Sequence, residues 1–374
     1  VWDKVPLKLK IHNYYIVFEK RYETGILYKV LVTIIAVVAS FIIAGLIFLM
    51  LGFSPLEIYK MIINTFTSVG LMHETLLRST PIILAALGLS IAFKMNFWNI
   101  GAEGQLYMGA FAATGVVLLH VYYGMISPDL LLLVMLLASF IAGSAWCLFP
   151  AFLKTRLGAN EIITTLMMNY IAILFVNYLI FGPWRDPQGY GFPFSVNFPP
   201  YARPSLPFMS VGTLMLTWSL VTASLVFSML KYTIPGFEIR VVGQNLEAAK
   251  YAGMNISSTI MLGSLLSGGL SGIAGMVTVT TLIGRLTPDV SPGYGYMAII
   301  VAYLAGLNPL LIIPAGILFG GLLTAGDAMQ YALSMPKTGA QILQALIFLF
   351  TLLGEFVKRY GVTVVRSGGK DGRS

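Results

Sequence analysis

Long apolar runs separated by short polar breaks set the pattern of this chain. Val30–Gly52 carries no charged residue, and Gln105–Pro128, Leu130–Leu153, Ile162–Trp184, Pro204–Leu230 and Tyr251–Gly284 also lack Asp, Glu, Lys and Arg. A bilayer core takes about 20 mostly apolar residues per crossing helix. The pattern predicts ten spans, near 30–52, 76–95, 102–123, 129–153, 161–182, 210–230, 257–283, 293–306, 308–326 and 339–357. The eighth and ninth come from one uncharged run, Val290–Gly326. As a single helix that run would be ~55 Å long, nearly twice the bilayer core. Gly306, Asn308 and Pro309 supply turn chemistry in its middle, so it is split there. The second span is the weakest, since only Ser79–Phe93 is uncharged, with Arg78 and Lys94 placed to snorkel to the two interfaces. The polar stretch Asn96–Gln105 that follows is expected to bend at membrane depth, which is tolerated only inside protein or against a water-filled cavity.

The predicted fold is therefore all-α: a polytopic transmembrane helix bundle of about ten spans with both termini cytoplasmic. Residues 1–29 form an N-terminal cytoplasmic segment, 30–357 the transmembrane domain and 358–374 a cytoplasmic tail. Standing behind 29 residues and before nine further spans, the first span is not read as a signal peptide. The orientation follows from the basic residues. With the N-terminus inside, only Lys60, Arg78, Arg185, Arg203, Arg285 and Lys337 of the 23 Lys and Arg fall outside, the bias that cytoplasmic loops show.

Two connections are longer than linkage requires. The external loop 183–209 holds seven prolines interleaved with aromatic residues and cannot be a regular helix. The cytoplasmic loop 231–256 reads as a Pro235-Gly236 turn and then a short helix from Asn245 to Tyr251.

Composition agrees with this picture. Hydrophobic residues make up 57% of the 374 and charged residues 10%, against about 25% charged in soluble domains. The net charge of +8 reads as basic membrane edges, with no basic domain to bind nucleic acid. The one cysteine, Cys147, allows no intrachain disulfide, and His12, His73 and His120 are isolated, so no metal set is expected.

The loop 231–256 carries the most informative motif. Asn245 is a good helix N-cap, Glu247 sits in the first turn where the dipole favours an anion, and Gly253 is a natural stop. Ala248 and Ala249 offer a small-residue face that another protein can approach. Glu247-Ala248-Ala249 followed by Gly253 resembles the coupling motif of binding-protein-dependent ABC importer permeases. The Ile-x-Leu-Pro tail of that motif is replaced by Gly263-Ser264-Leu265-Leu266, which departs from the maltose-type branch. Phe97-Trp98-Asn99-Ile100-Gly101-Ala102-Glu103-Gly104-Gln105 is similar to the FNIGAEGQ signature of sugar and nucleoside permeases. Asn160–Tyr170 is similar to the NEIITTLMLNY segment of the nucleoside group.

This resemblance implies a permease for nucleosides or a related pentose-containing solute in a prokaryotic inner membrane. Its partners would be ABC ATPase subunits docking on Glu247, Ala248, Ala249 and Gly253, a second and different permease chain, an extracytoplasmic substrate-binding lipoprotein, and membrane lipid. The chain has no phosphate loop, since Gly368-Gly369-Lys370-Asp371 lacks the required spacing and hydroxyl. No cofactor is expected on it, and ATP and magnesium would belong to the ATPase. The rival readings are a ribose-type sugar permease of the same branch and an ion-coupled secondary transporter.

Polar groups at membrane depth are the candidates for the solute path. Glu103 could accept hydrogen bonds from ribose hydroxyls or cap its own helix. Asn99 and Gln105 share its turn, and Asn99 could instead serve as a helix N-cap. Thr165 and Asn169, four residues apart, share one face of the fifth span and could line the path or join helices. Asp327, near the end of the ninth span, reads as a solvated loop carboxylate. The small-residue run from Gly263 to Gly275 reads as helix packing.

Overall fold

The computed structural model describes residues 7–11, 14–20, 25–336 and 338–366. It divides into two compact units, Val1–Ile58 with Met335–Ser374, and Tyr59–Ser334.

In the first unit α1 (Ile26–Met50) packs against α13 (Thr338–Arg359). Beside them is an antiparallel sheet of β1 (Leu7–Ile11), β2 (Tyr14–Lys20) and β3 (Tyr360–Arg366) in the order β1-β2-β3. Leu9 lies opposite Ile16, and Ile16 opposite Val364. This sheet is an addition to the all-α expectation. β2 and β3 are rich in aromatic and β-branched residues that favour strands, but their pairing joins the two ends of the chain and has no local signature. A further helix absent from the sequence reading, α2 (Pro55–Thr67), follows α1. Glu57 and Lys60 kept it out of the apolar pattern.

The second unit is built from α3 (Val69–Lys94), α4 (Ala102–Tyr123), α5 (Pro128–Leu157), α6 (Glu161–Phe181), α7 (Val211–Tyr232), α8 (Ile234–Gln244), α9 (Leu246–Tyr251), α10 (Ile256–Val277), α11 (Tyr294–Leu304) and α12 (Pro309–Leu333). α10 runs on as a π-helical turn, Thr278–Ile283. Among the described residues nine helices are long and apolar enough to cross a membrane. The tenth expected span is α11, whose 11 residues reach about 16 Å, half a bilayer core. The expected break after it is present. Gly306 and Leu307 both adopt φ +58, and Asn308 caps α12 by accepting from the Leu310 amide at 3.1 Å.

α10 sits at the centre, packed on α3, α4 and α5. Its small residues let backbones meet directly. A Cβ at Gly272 would overlap the Ser139 carbonyl of α5, one at Gly109 would overlap Gly272 itself, and one at Gly275 would overlap the Leu106 carbonyl of α4.

The loop 183–209 is free of α-helix, with one 3-10 turn at Pro200–Ala202. Several contacts pin it to this unit. The Trp184 ring stacks on Phe111 of α4 at 4.9 Å. Ser195 exchanges hydrogen bonds with Leu286 at 3.0 and 2.9 Å. His120 Nε2 lies 2.8 Å from the Tyr201 hydroxyl.

Two readings of charged residues are corrected. Arg78 does not end the second span, because α3 begins nine residues earlier at Val69. Asp327 is not a loop carboxylate. It lies within α12 and pairs with Arg78 at 2.6 Å, each side chain about a quarter exposed, with Glu74 of α3 3.9 Å from Arg78 Nε. A guanidinium at membrane depth is costly without such a partner. Asp327→Asn is expected to lower the thermal midpoint of the detergent-solubilised protein, by less than the ~3–5 kcal/mol of a fully buried pair. The exchange Arg78→Asp with Asp327→Arg should recover part of the loss. An unchanged midpoint in Asp327→Asn would mean the pair is dispensable.

Candidate functional site

The sequence-predicted residues fall into two groups at the same end of the second unit. The first group surrounds the break between α3 and α4. Asn99 is fully buried and uses its whole amide. Its Nδ2 donates to Gln105 Oε1 and to Ser267 Oγ of α10, both at 3.1 Å. Its Oδ1 accepts from the Gly101 amide at 3.0 Å and from Gln105 Nε2 at 2.8 Å. Gly101, not Asn99, occupies the N-cap position of α4.

Asn169 of α6 holds the other side of the break. Its Oδ1 accepts from the Gly104 amide at 2.8 Å, and its Nδ2 donates to the Ile100 carbonyl at 2.9 Å and the Tyr296 hydroxyl at 3.3 Å. Thr165, one turn earlier, accepts from the Ile100 amide at 3.1 Å and donates to the Glu161 carbonyl at 2.6 Å. The two side chains replace the partners that non-helical backbone needs at this depth.

Glu103 is 2% exposed. It does not cap its own helix. Its Oε2 accepts from the Gly295 amide of α11 at 2.7 Å, so a carboxylate in the first turn of α4 caps the first turn of the half-helix. Ser291 serves the neighbouring amides, accepting from Gly293 at 3.1 Å and Tyr294 at 2.8 Å. A Cβ at Gly295 would overlap the Glu103 backbone. The structure thus brings Asn99, Glu103, Gln105, Thr165 and Asn169 into one buried cluster joining α4, α6, α10 and α11, and every buried oxygen or nitrogen of these five side chains has a partner. Tyr296 and Ser267 complete the cluster. Sequence reading missed Tyr296 because nothing in its neighbourhood marks the end of a half-helix.

The second group is α8 and α9. Pro235 and Gly236 do not form a turn between helices. They open α8, with Thr233 Oγ1 accepting from the Gly236 amide at 3.3 Å. Proline is at home in a first helical turn because its missing donor has no intrahelical partner there. Asn245 caps α9 as expected, accepting from the Glu247 and Ala248 amides at 3.0 and 3.1 Å. Gly253 follows α9 with φ +72, a conformation that favours glycine. The two alanines do not share a face: Ala249 is buried and Ala248 exposed. Ala249 fastens α9 to the bundle, while Leu246, Ala248 and Tyr251, the last 92% exposed, point away from it. Glu247 is exposed and pairs with Lys250 at 2.9 Å. α9 does not extend the polar cluster; α8 contacts the break through the Gly243 carbonyl, which accepts from Asn96 Nδ2 at 2.6 Å.

Comparison with known proteins decides what this architecture is. Residues 71–352 match the family described as the permease component of branched-chain amino acid transport systems. The chain belongs to this permease family. The glucose ABC transporter permease protein TsgB13 of Haloferax volcanii is 33% identical to it over 347 residues, covering 88% of this chain and 89% of the relative. The guanosine ABC transporter permease protein NupP of Bacillus subtilis is 31% identical, covering 86% and 92%. The nucleoside ABC transporter permease protein NupB of Lactococcus lactis is 29% identical, covering 87% and 91%. The family match takes in the cluster, the α8–α9 segment and the half-helix, so both candidate groups of this permease lie within it. The two β-strands before α1 and the one after α13 lie outside the matched residues.

Proposed function

We propose that this permease is the membrane-spanning subunit of an ATP-driven importer that moves nucleosides, or a related pentose-containing solute, across a prokaryotic inner membrane. The observation that carries the reading is α9. A six-residue helix capped by Asn245 and held down by Ala249 leaves Leu246, Ala248, Glu247 and Tyr251 presented outward. With one face fastened to the bundle and the other exposed, such a helix suits a groove in a partner. The partner is a pair of ABC ATPase subunits, which bind ATP and magnesium and hydrolyse it. The permease itself is a two-state element whose equilibrium the ATPase biases through α9.

The relatives that act on guanosine and nucleosides support the solute class, as does the Asn160–Tyr170 segment. A second permease chain completes the passage. An extracytoplasmic lipoprotein delivers the solute to the end that carries the loop 183–209. Exposed Tyr190, Phe192 and Phe208 on that pinned loop suit a protein surface. Asn99, Glu103, Gln105, Thr165 and Asn169 shape the wall of the passage from behind. Their hydrogen-bonding capacity is spent within the protein, and Tyr296, 37% exposed, is the member of the cluster that reaches an open surface.

The glucose permease relative supports a second reading, in which the solute is a simple sugar. Uptake separates the two. Cells producing the whole importer are expected to accumulate tritiated guanosine or uridine, with excess unlabelled nucleoside competing and excess glucose or ribose not. Competition by the sugars alone would move the assignment to the sugar reading.

A further inference from the structure

The α8–α9 segment and the buried cluster are joined through one small set of side chains between them. Gly243, in the last turn of α8, lies so close to the end of α3 that a Cβ there would overlap the Lys94 carbonyl. Two residues beyond Lys94, Asn96 adopts the left-handed conformation, φ +55. Its Nδ2 donates to the Gly243 carbonyl at 2.6 Å, and its own carbonyl accepts from Lys154 Nζ at 3.2 Å. Lys154, in the last turn of α5, also forms an ion pair with Glu161 in the first turn of α6. Its ammonium lies 5.4 Å from the centre of the buried Phe97 ring. From Glu161 the contacts continue through Thr165 to the Ile100 amide and the cluster.

We propose that Asn96, Lys154 and Glu161 form a latch that transmits movement of α8 and α9 to the break between α3 and α4, and that they are positioning residues for energy coupling. This deepens the importer reading and rests on it. The physical case is the arrangement of the latch. A displacement of α9 moves α8, to which it is joined through Asn245. Gly243 is then carried against both the Asn96 amide and the end of α3. Lys154 ties the Asn96 carbonyl, and the Phe97 ring beside it, to the start of α6. The same helix bears Thr165 and, one turn further on, Asn169, which hold the Ile100 amide and carbonyl and the Gly104 amide. A shift at Gly243 is therefore felt by two helices at once. Coupling of this kind is carried by contiguous networks of packed and hydrogen-bonded groups. Lys154 is the junction, with three partners on one ammonium.

Asn96→Gly isolates the latch from stability. The substitution removes the bond to Gly243, while glycine is at ease at the positive φ that asparagine holds there. The variant is therefore expected to fold and melt as the native protein does. The whole importer, with its ATPase, second permease and binding protein, is reconstituted in proteoliposomes, and tritiated guanosine uptake and ATP hydrolysis are measured together. Solute moved per ATP is expected to fall about three- to ten-fold in Asn96→Gly, with more loss in Lys154→Met and recovery in Lys154→Arg. A native ratio in both Asn96→Gly and Lys154→Met would overturn the latch while leaving the importer standing. If the native complex itself shows no ATP-dependent uptake of guanosine, uridine, ribose or glucose, the importer reading fails and the latch with it.

Discussion

Gly272→Val is expected to prevent the permease from accumulating as a folded protein in the membrane. Gly272 stands where three helices meet. A Cβ there would overlap the Ser139 carbonyl and press on the Gly143 Cα, both on α5, and Gly109 of α4 abuts Gly272 from the other side. The obstructing atoms are backbone, which cannot rotate away as a side chain can. The cost should therefore exceed the ~1–3 kcal/mol typical of overpacked cores. In a membrane, small residues replace the hydrophobic effect as the means of association, because close backbone approach is what yields packing energy between helices already in lipid. Gly70→Val is the matched control, since nothing lies within 4 Å of a Cβ at that position. Fluorescence-detected size exclusion of tagged variants in mild detergent reads the outcome. A monodisperse Gly272→Val peak of native height and melting point would show that α10 is not the packing centre of the bundle.

That role for α10 was legible in the sequence, because glycine and serine at four-residue spacing within an apolar span have few other uses. The splitting of Val290–Gly326, the Asn245 cap and the Gly253 stop were legible for the same reason. Each is decided by residues a few positions apart. What escaped was decided by residues far apart in the chain. The acceptor role of Glu103 toward Gly295 joins positions 192 residues apart, and a carboxylate in a first helical turn gives no hint that it caps a different helix. Arg78 reads as a snorkelling interfacial charge and Asp327 as a solvated loop carboxylate until α3 and α12 are laid together. The terminal sheet depends on strands from the two ends of the chain. The α8 start was misread for a different reason: Pro-Gly is a strong turn signal, and Thr233 capping a helix that opens on Pro235 overrode it.

The cluster and the half-helix explain each other in physical terms. α11 begins within the bundle, where its first amides have no water to bond. Each exposed amide in such a place would cost several kcal/mol. Glu103 and Ser291 provide acceptors for three consecutive residues, Gly293, Tyr294 and Gly295. In return, the break between α3 and α4 is satisfied by Asn99, Thr165 and Asn169. Two interruptions of regular helix are thus set against each other and closed by side chains from their neighbours. Helices broken in this way can move as half-helices without exposing unpaired backbone to lipid, provided the side chains follow.

Glu247→Arg is expected to abolish uptake while leaving the permease folded and inserted. Glu247 is exposed, and its bond to Lys250 is an exposed pair three residues apart in one helix, an arrangement that contributes little to stability. Its loss alone should not unfold the bundle, which α9 joins mainly through Ala249. The same position lies in the first turn of α9, where the helix dipole favours an anion. Arginine there places a cation against the dipole and beside Lys250, reversing the charge that a partner groove meets. The expected result is native expression and melting point, with uptake reduced at least about ten-fold and ATP hydrolysis no longer stimulated by the loaded binding protein, since a like-charge contact at an interface costs several kcal/mol. Asn245→Ala supplies an independent approach. It removes both cap bonds at a cost of about 1 kcal/mol, enough to melt a helix too short to persist without its cap. Both variants should fail in the same way, one by charge and one by shape. Undiminished uptake in both would show that α9 is not the element gripped by the motor.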